Sequence, residues 1–349
     1  MHIAVIPGDG IGQEVTREAM KIVGVAAQVF GRRIDVETLP WGADYYLQSG
    51  VTVPPNGYAL LQQFDAVFIG ALGDPRVPDN RHARDILLGT RVALDLYVNY
   101  RPVRLLDDRL CPLKGRTTAD VDFVVFRENT EGIYAGVGGR LRAGTEDEIA
   151  VQEEINTYKG VVRIMRHAFE HAQAKGRRLC MADKSNAMPD GHALWQRVFR
   201  ELAPRYPGVE ARHLYIDALA LLMVQDPSQF GVIVTNNLFG DIITDLGAAL
   251  QGGLGLAASG NLHPGRTSMF EPVHGSAPPL AGRNVANPMG AMLSAALMLE
   301  YLGARDEAAA VESAVRRAVV ERHGTPDVGG TLGTDATGDA VAAFIRTAS

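Results

Sequence analysis

Short apolar runs alternate with longer amphipathic stretches along this chain, and this alternation constrains the fold more than any other feature. Several runs have the length and apolar content of buried β-strands: HIAVI (2–6), AVFIG (66–70), FVVF (123–126) and GVIVT (231–235). Other stretches have a helical spacing of apolar residues, near 13–30, 160–175, 190–203, 288–303 and 305–321. Strands that alternate with helices in this way predict an α/β fold with a largely parallel core sheet.

Composition narrows the class of protein. The 349 residues are 46% apolar, which is enough for one large domain or two and excludes a disordered chain. A net charge of −6 without a long basic run argues against a nucleic-acid partner. No apolar stretch is long enough to span a membrane, and the N-terminus opens directly into a strand-like run, so we expect no signal peptide. Cys111 and Cys180 are widely separated, which indicates a reducing cytoplasm and no structural zinc.

The segment NNLFGDIITDLGAALQGGLGLAASG (236–260) carries two acids four residues apart. Asp241 and Asp245 would share one face of a helix that Asn236 or Asn237 caps and that the glycine-rich run 252–255 ends. Such a pair binds a hard divalent cation well, and its charges repel each other without one. A solvated acidic face is the alternative. We favour a metal or substrate role, because apolar neighbours predict the border of a buried cleft: Leu238, Phe239, Ile242, Ile243 and Leu246.

The motif GDGIG (8–12) follows the first predicted strand and opens a helix. Glycines at such a position let the backbone turn sharply and approach a ligand. The third glycine comes one residue too early for the Rossmann dinucleotide fingerprint. Taken alone, the motif is equally compatible with a tight structural turn.

Charged side chains follow several of the apolar runs. Arg127 ends DFVVF, Lys184 follows Leu179–Met181, and Asp217 ends another apolar run. An arginine after a buried strand needs an anionic partner, either a structural acid or a substrate carboxylate. A lysine at a strand end can be desolvated, which lowers its pKa towards base chemistry. An exposed lysine and a helix-capping aspartate are the alternatives at these two positions.

Over essentially the whole chain, the sequence resembles the β-decarboxylating dehydrogenases, the isocitrate and isopropylmalate dehydrogenase family. The motifs that carry the resemblance are 236–260, RENTEGIY (127–134), MADKSNAM (181–188), YIDALA (215–220) and FEPVHGSAP (270–278). It implies that family's two-domain α/β fold with a largely parallel central sheet, rather than a Rossmann fold. Residues 1–99 plus 251–349 would form a large cofactor-binding domain. Residues 100–250 would form a small domain with a dimerisation interface and an arm-like segment (140–156).

The resemblance also implies roles for individual residues. Lys184 resembles the base that takes the substrate hydroxyl proton, and Tyr134 resembles the acid that protonates the product enol. Asp217, Asp241 and Asp245 would hold Mg²⁺ or Mn²⁺. In the family, the lysine and the first of these aspartates enter the site from the partner subunit, so catalysis would require a homodimer. Arginines resemble the clamp for the malate carboxylates: Arg91, Arg101 and Arg127.

An NAD site is implied by the same comparison with the family. It would comprise Ile11, the loop of His274, Gly275, Ser276 and Ala277, and Asn287. The chain departs from the family at Pro279, where NAD-specific members usually carry an aspartate that accepts hydrogen bonds from the adenosine ribose. Arg283 nearby would suit a 2′-phosphate, but the Lys-Tyr pair of the NADP-using bacterial isocitrate enzymes is absent. We therefore predict NAD and leave NADP open.

The identity of the substrate is predicted from the residues that, in the family, face the substituent by which its substrates differ. Leu87 and Leu88 would suit an isopropyl group by apolar burial worth about 1–3 kcal/mol, although both could be core residues. Asp85 would repel a third carboxylate, which disfavours isocitrate. We predict decarboxylation of 3-isopropylmalate in leucine biosynthesis, by a cytoplasmic enzyme with a small-molecule substrate and no membrane or nucleic-acid partner.

Alternatives to that substrate stay open. CPLKGR (111–116), RENTEGIY and GTEDEIAVQE (144–153) resemble the D-malate and tartrate enzymes, whereas 215–275 resembles the isopropylmalate branch. Homoisocitrate or a specialised alkylmalate follows as a further alternative. A non-catalytic regulatory subunit would lack some of the lysine, tyrosine, arginine and aspartate set, and this chain has all of them.

Overall fold

The computed structural model describes residues 1–347. Its strands are β1 (His2–Gly8), β2 (Asp35–Thr38), β3 (Ala66–Ala71), β4 (Val98–Arg104), β5 (Asp122–Glu128), β6 (Gly138–Leu141), β7 (Ile149–Gln152), β8 (Leu179–Asp183), β9 (Ala211–Tyr215), β10 (Val232–Thr235), β11 (Ala258–Leu262) and β12 (Ser268–Pro272). Its α-helices are α1 (Gly12–Val29), α2 (Ala43–Ser49), α3 (Gly57–Leu61), α4 (Arg81–Ala93), α5 (Tyr158–Lys175), α6 (Pro189–Leu202), α7 (Ile216–Gln225), α8 (Asn237–Leu250), α9 (Met289–Tyr301), α10 (Arg305–Val320) and α11 (Thr334–Thr347).

The strands and helices expected from apolar periodicity are present, and the predicted α/β class is confirmed. The chain divides into two compact units. Unit 1 comprises 1–96, 104–118 and the described residues from 248 onward, and unit 2 comprises 97–103 and 119–247. No helix within the described residues is long and apolar enough to cross a membrane.

Unit 1 is built on strands in the order β2-β1-β3-β12-β11. All of these neighbours are parallel except β11 and β12, which are antiparallel. Every residue of β3 and β12 is buried, as expected for strands covered on both faces. Helix α9 is apolar around its whole circumference and is buried, while α1, α10 and α11 contribute amphipathic faces to the same core.

Unit 2 carries the strand order β4-β5-β10-β8-β9 and a separate antiparallel hairpin of β6 and β7. Strands β5, β10, β8 and β9 are mutually parallel, with Thr235 in register with Arg127 on one side and Ala182 on the other. The carboxyl ends of these strands therefore emerge at one edge, and parallel sheets bind ligands there. Arg127 near the end of β5, Lys184 directly after β8 and the start of α8 after β10 therefore lie at this edge.

Two histidines on α5 lie against the aromatic side of β5. The His171 ring centroid is 5.0 Å from that of Phe126 and 5.8 Å from that of Tyr100, and His167 also contacts Phe126. Burial lowers the pKa of His171 to about 4, and the charges of Lys175, His167 and Arg177 act in the same direction. Burial alone lowers the pKa of His167. Both imidazoles are therefore neutral in the folded protein at neutral pH.

We predict that His171 makes the fold acid-labile in a defined window. The unfolded histidine has a pKa near 6.5, so the unfolded state binds the proton first as pH falls from about 6.5 to about 4, and stability is lost across that range. His171→Leu should lose less stability between pH 7 and pH 4.5 than the wild type, measured by urea unfolding. Gln173→Leu, at an exposed position on the same helix, is the control and should follow the wild-type pH profile. Identical profiles for wild type and His171→Leu would contradict the assignment.

Candidate active site

Arg127 is the centre of a polar cluster at the carboxyl edge of unit 2. Only 3% of its side chain is exposed. Its Nε donates to Asn237 Oδ1 at 2.9 Å, and its Nη1 donates to Asp241 Oδ1 at 2.5 Å. The first turns of α8 thus supply both acceptors for a guanidinium that β5 delivers into the interior. A buried arginine needs such partners, because an uncompensated buried charge is costly.

Two further side chains join this cluster from neighbouring segments. Arg101, on β4, donates to Thr244 Oγ1 at 2.5 Å and lies 3.4 Å from Asp241 Oδ1. Tyr134, in a single 3-10 turn (Ile133–Ala135), donates its hydroxyl to Asp241 Oδ2 at 3.1 Å. Both oxygens of Asp241 are therefore engaged, and two guanidiniums and a phenol converge on one carboxylate. Groups of this kind bind the carboxylates of a substrate.

The helix that carries the acids begins and ends as the sequence predicts. Asn236 Oδ1 accepts a hydrogen bond from the N–H of Phe239 at 2.9 Å, which is an N-cap on α8. The helix ends at Leu250, and Gly252 and Gly253 then adopt φ values of 111° and 118° that favour glycine.

Asp241 and Asp245 lie one helical turn apart, and their chemistry fits a divalent cation. Burial raises the pKa of Asp245, and the charge of Asp241 raises it further, while Arg101 and Arg127 oppose both effects. A hard cation would relieve this repulsion, and carboxylates are its preferred ligands. Of the apolar neighbours expected to border a cleft, Ile242, between the two acids, is 59% exposed. The others are buried or half-buried: Leu238, Phe239, Ile243 and Leu246. The apolar spacing therefore did not predict the exposure of Ile242.

Lys184 and Asp217 form a second cluster in unit 2. Lys184 Nζ lies 2.6 Å from Asp217 Oδ1, with 26% of the lysine and 67% of the aspartate side chain exposed. The hydrogen bond from Lys184 is the main cause of a lowered Asp217 pKa. His192 Nδ1 accepts from the Lys184 backbone N–H at 2.7 Å and fixes the segment after β8. Asp217 lies in the first turn of α7 and is not its N-cap.

The three predicted metal ligands do not meet within one chain. Among residues 1–347, no group of three or more His, Cys, Asp or Glu side chains is arranged to hold a metal ion. Asp217 pairs with Lys184, whereas Asp241 pairs with Arg127. This separation is compatible with the expectation that a partner subunit completes the site, which stays a prediction.

In unit 1, the glycine turn (residues 8–12) contacts the predicted cofactor loop (residues 274–277). The N–H of Ile11 donates to the carbonyl of Ser276 at 2.8 Å. Gly10 has φ +54°, and a Cβ there would come within 2.1 Å of that same carbonyl oxygen. The turn therefore requires glycine for its conformation and for its close approach to Ser276, as a tight structural turn does, and the approach of a ligand stays a prediction. The residue after Ser276, Ala277, is also held at a positive φ of 37°.

Within that loop, His274 fits a nucleotide better than Asn287 does. His274 Nδ1 lies 3.0 Å from the carbonyl of Gly275, and its Nε2 is buried without a hydrogen-bond partner in the described chain. Burial lowers the pKa of His274, so it offers a neutral imidazole. The Asn287 amide is already engaged, since it donates to Asp327 Oδ2 and accepts from the N–H of Met289. Its side chain is held at the start of α9, which leaves the backbone as its contribution to a cofactor site.

Helix α4 carries the remaining residues predicted to bind the substrate, which are Leu87, Leu88 and Arg91. Arg91 Nη2 donates to Glu271 Oε1 at 2.9 Å, and both side chains are buried. This is the structural ion pair that sequence left open, although the Arg91 Nε is buried without a partner among the described residues. Leu87 packs on the core cluster around Trp41 and Phe64, and Leu88 is half-buried. Leu87 therefore makes the contacts expected of a core residue, which was the alternative to a substrate contact.

Sequence reasoning missed several members of these clusters. Thr244 accepts a hydrogen bond from Arg101, Asn237 accepts one from Arg127, and Glu271 accepts one from Arg91. Asn237 was considered only as a helix cap. Glu271 stands in the FEPVHGSAP motif three residues before His274, and its position at the end of a buried strand was the available signal.

Comparison with known proteins decides the family. The family described as isocitrate/isopropylmalate dehydrogenase matches residues 2–341. The chain belongs to the isocitrate/isopropylmalate dehydrogenase family. The predicted resemblance and the predicted fold are thereby confirmed.

Relatives and solved structures within this family match nearly the whole chain. A 3-isopropylmalate dehydrogenase of Thermobifida fusca is 46% identical and covers 98% of this chain and 97% of its own length. That of Rhodococcus erythropolis is 45% identical, with 99% and 100% covered. The crystal structure of isocitrate dehydrogenase from Methylococcus capsulatus is similar with a TM-score of 0.90 and 34% identity, covering 99% of both chains. A β-decarboxylating dehydrogenase of Thermococcus kodakarensis gives 0.80 and 35%, covering 99% and 96%.

We predict that Gly240 is required for the position of Arg127. A Cβ at Gly240 would lie 2.6 Å from both Cβ and Cγ of Arg127, so Gly240→Ala should destabilise the fold by about 1–3 kcal/mol and weaken substrate binding. Gly24 is the control, because it is also within a helix but a Cβ there would meet no atom within 4 Å. Gly24→Ala should stabilise by roughly 0.5–1 kcal/mol through helix propensity. Urea unfolding measures both, and equal effects would contradict the steric account.

Proposed function

We propose that this chain oxidatively decarboxylates 3-isopropylmalate to 4-methyl-2-oxopentanoate and CO₂, with NAD and Mg²⁺ or Mn²⁺, as in leucine biosynthesis. The observation that carries the proposal is the convergence of Arg101, Arg127 and Tyr134 on Asp241. It occurs in a chain that is 45–47% identical to proteins named 3-isopropylmalate dehydrogenase over nearly its full length. Full-length relatives in the same family with the same name are the best guide to substrate class.

The roles of the residues follow from their chemistry. Arg101 and Arg127 bind malate carboxylates through their guanidinium forks, and we assign Arg91 to the same task from its motif. Lys184, in its neutral form and therefore no longer ion-paired with Asp217, accepts the hydroxyl proton from the substrate. When bound, NAD would supply the hydride acceptor, and the divalent cation would stabilise negative charge that develops on the substrate oxygen. Tyr134 then donates a proton to the enol carbon that remains after CO₂ departs. The product gains this proton in place of the hydroxyl proton that Lys184 removed, so the number of protons balances.

The ligands for the two cofactors would come from groups already described. Asp241 and Asp245 fit the cation by their paired charge, and Asp217 would complete the set from a partner subunit. His274, with its unpartnered Nε2, and the backbone of Ile11 and of the loop to Ala277 fit the nucleotide. The cation would take over part of the charge compensation that Arg127 now gives to Asp241.

A homodimer is part of the proposal. Large apolar side chains are exposed on unit 2 at the hairpin, on α7 and on α8, and they are the kind of surface that a partner covers. They include Leu141 (63%), Ile149 (48%), Leu221 (58%), Val224 (44%) and Ile242 (59%). Pairing of residues 100–250 with their copy would cover them. We also place the enzyme in the cytoplasm, since Cys111 and Cys180 are both free thiols.

A panel assay tests the proposed substrate. Purified protein with Mg²⁺ or Mn²⁺ and NAD should form NADH with 3-isopropylmalate at a kcat/KM at least about tenfold above that for D-malate, tartrate, isocitrate or homoisocitrate. Isocitrate should be the poorest, because Asp85 carries a charge that Thr52 holds in place at 2.8 Å. Preference for D-malate or tartrate would overturn the substrate assignment and favour the branch that RENTEGIY resembles. No metal-dependent NADH formation with any of them would overturn the enzyme assignment.

The departure from the family at Pro279 gives a further prediction. Pro279 is exposed and its carbonyl lies 3.4 Å from Arg283 Nη1, so this position presents a cation and no carboxylate. Pro279→Asp should raise the ratio of NAD to NADP kcat/KM by about tenfold, through ribose hydrogen bonds and repulsion of a 2′-phosphate. Leu280→Asp adds the same charge one residue away and should change the ratio less. Equal shifts in both variants would show that Pro279 does not face the ribose.

A further inference from the structure

A buried contact in unit 1 joins the glycine turn to helix α4. His82, the second residue of α4, is completely buried, and its Nε2 lies 2.8 Å from Asp9 Oδ2. Asp9 is the residue between Gly8 and Gly10, and its side chain is 4% exposed. A buried histidine and a buried carboxylate next to a predicted cofactor loop have no place in the chemistry assigned above, so their function needs a separate account.

The Asp9 carboxylate is held by donors from three different segments. Its Oδ1 accepts from the N–H of Ala43 at 2.6 Å, and its Oδ2 accepts from the N–H of Gly73 at 2.8 Å as well as facing His82. The backbone N–H of Asp9 donates to the carbonyl of Ala71 at 2.7 Å. Charge-assisted bonds of this kind are short and directional, so the carboxylate is a rigid anchor for the turn.

The imidazole of His82 forms a hydrogen bond with this carboxylate through Nε2. Its Nδ1 is buried and makes no hydrogen bond within the described residues, so the Nε2 contact is the polar bond that accounts for a histidine here. With the ring proton on Nε2, the imidazole donates to Asp9. An apolar residue of similar size would fill the same space without fixing the carboxylate.

The contact joins two segments that each carry residues assigned to ligand binding. On one side, the turn continues to Ile11, whose N–H reaches the carbonyl of Ser276 in the cofactor loop. On the other side, α4 continues through Leu88 to Arg91, which we assign to the substrate. The hydrogen bond between Asp9 and His82 therefore links α4 directly to the cofactor turn.

We propose that His82 is a positioning residue that, through Asp9, aligns the cofactor turn with the substrate-binding face of α4. The proposal rests on the proposed function, since it takes the turn as the nucleotide site and α4 as the substrate helix. It predicts that loss of the Nε2 bond impairs binding of both reactants together, although His82 touches neither of them. A structural role alone would change stability without this paired effect.

Two substitutions separate these roles, because glutamine places its amide nitrogen near the Nε2 position and asparagine near the Nδ1 position. His82→Asn should weaken NADH binding, measured by fluorescence titration, and raise the KM for 3-isopropylmalate, each by about tenfold. His82→Gln should restore both to within about threefold of wild type, since it can still donate to Asp9. Ile345→Val is the control for stability, because Ile345 is buried in the core of the same unit on α11. It should lower the melting temperature and leave NADH affinity unchanged.

The outcomes divide cleanly. Unchanged NADH affinity and KM in His82→Asn, or equal losses in His82→Asn and His82→Gln, would overturn the positioning role, and so would a weakened affinity in Ile345→Val. If His82→Asn does not fold, Asp9→Asn takes its place, since an amide there faces N–H donors on both sides; normal NADH affinity in that variant would overturn the proposal. A wild type that binds NADH without oxidising 3-isopropylmalate would contradict the proposed function, and the NADH titrations would still decide the role of His82.

Discussion

The ion pair between Arg127 and Asp241 is the contact on which the unit 2 site depends. Strand β5 is buried throughout its last residues, so the arginine at its end must find its counter-charge inside the protein. Helix α8 provides it one turn after its N-cap, and Gly240 leaves the space in which the methylene stem of Arg127 lies. Tyr134 and Arg101 then reach the same carboxylate. Removing Asp241 would leave two buried guanidiniums without their shared acceptor, so fold and chemistry are coupled at this point.

The same arrangement accounts for a site that is incomplete in one chain. Burial raises the pKa of Asp245, and repulsion by the Asp241 carboxylate raises it further. Lys184 and Asp217 neutralise each other as a separate pair. Each set has the charge pattern of half a metal-dependent site, and exposed apolar side chains on α7 and α8, such as Leu221 and Ile242, mark surfaces that a second copy would cover. The proposed division between two subunits would account for the acids of one cation site lying on different helices.

Much of the fold was predictable from sequence, because the central strands, such as β3 and β10, are buried on both faces and form uninterrupted apolar runs such as AVFIG. The cap at Asn236 and the glycine stop of α8 were also predictable, since both depend on local backbone chemistry. The sequence did not predict which partner each arginine takes: Arg91 pairs with Glu271, 180 positions away along the chain. Nor did it predict that Ile242 is exposed, because apolar periodicity does not distinguish a core face from an interface. The roles of Lys184, Tyr134 and the aspartates stay predictions that rest on motif and geometry.

A subunit-mixing experiment tests the central claim, that each active site takes its carboxylate pair from one subunit and its lysine from the partner. Lys184→Ala and Asp245→Asn proteins are each expected to be inactive, and they would be unfolded together and refolded as a mixture. Random pairing should return roughly a quarter of wild-type NADH formation with 3-isopropylmalate, because half of the dimers would contain one intact site. A mixture as inactive as its two components, at dimer yields equal to those of the wild type, would contradict the claim and place Lys184 and Asp245 in the same subunit's site.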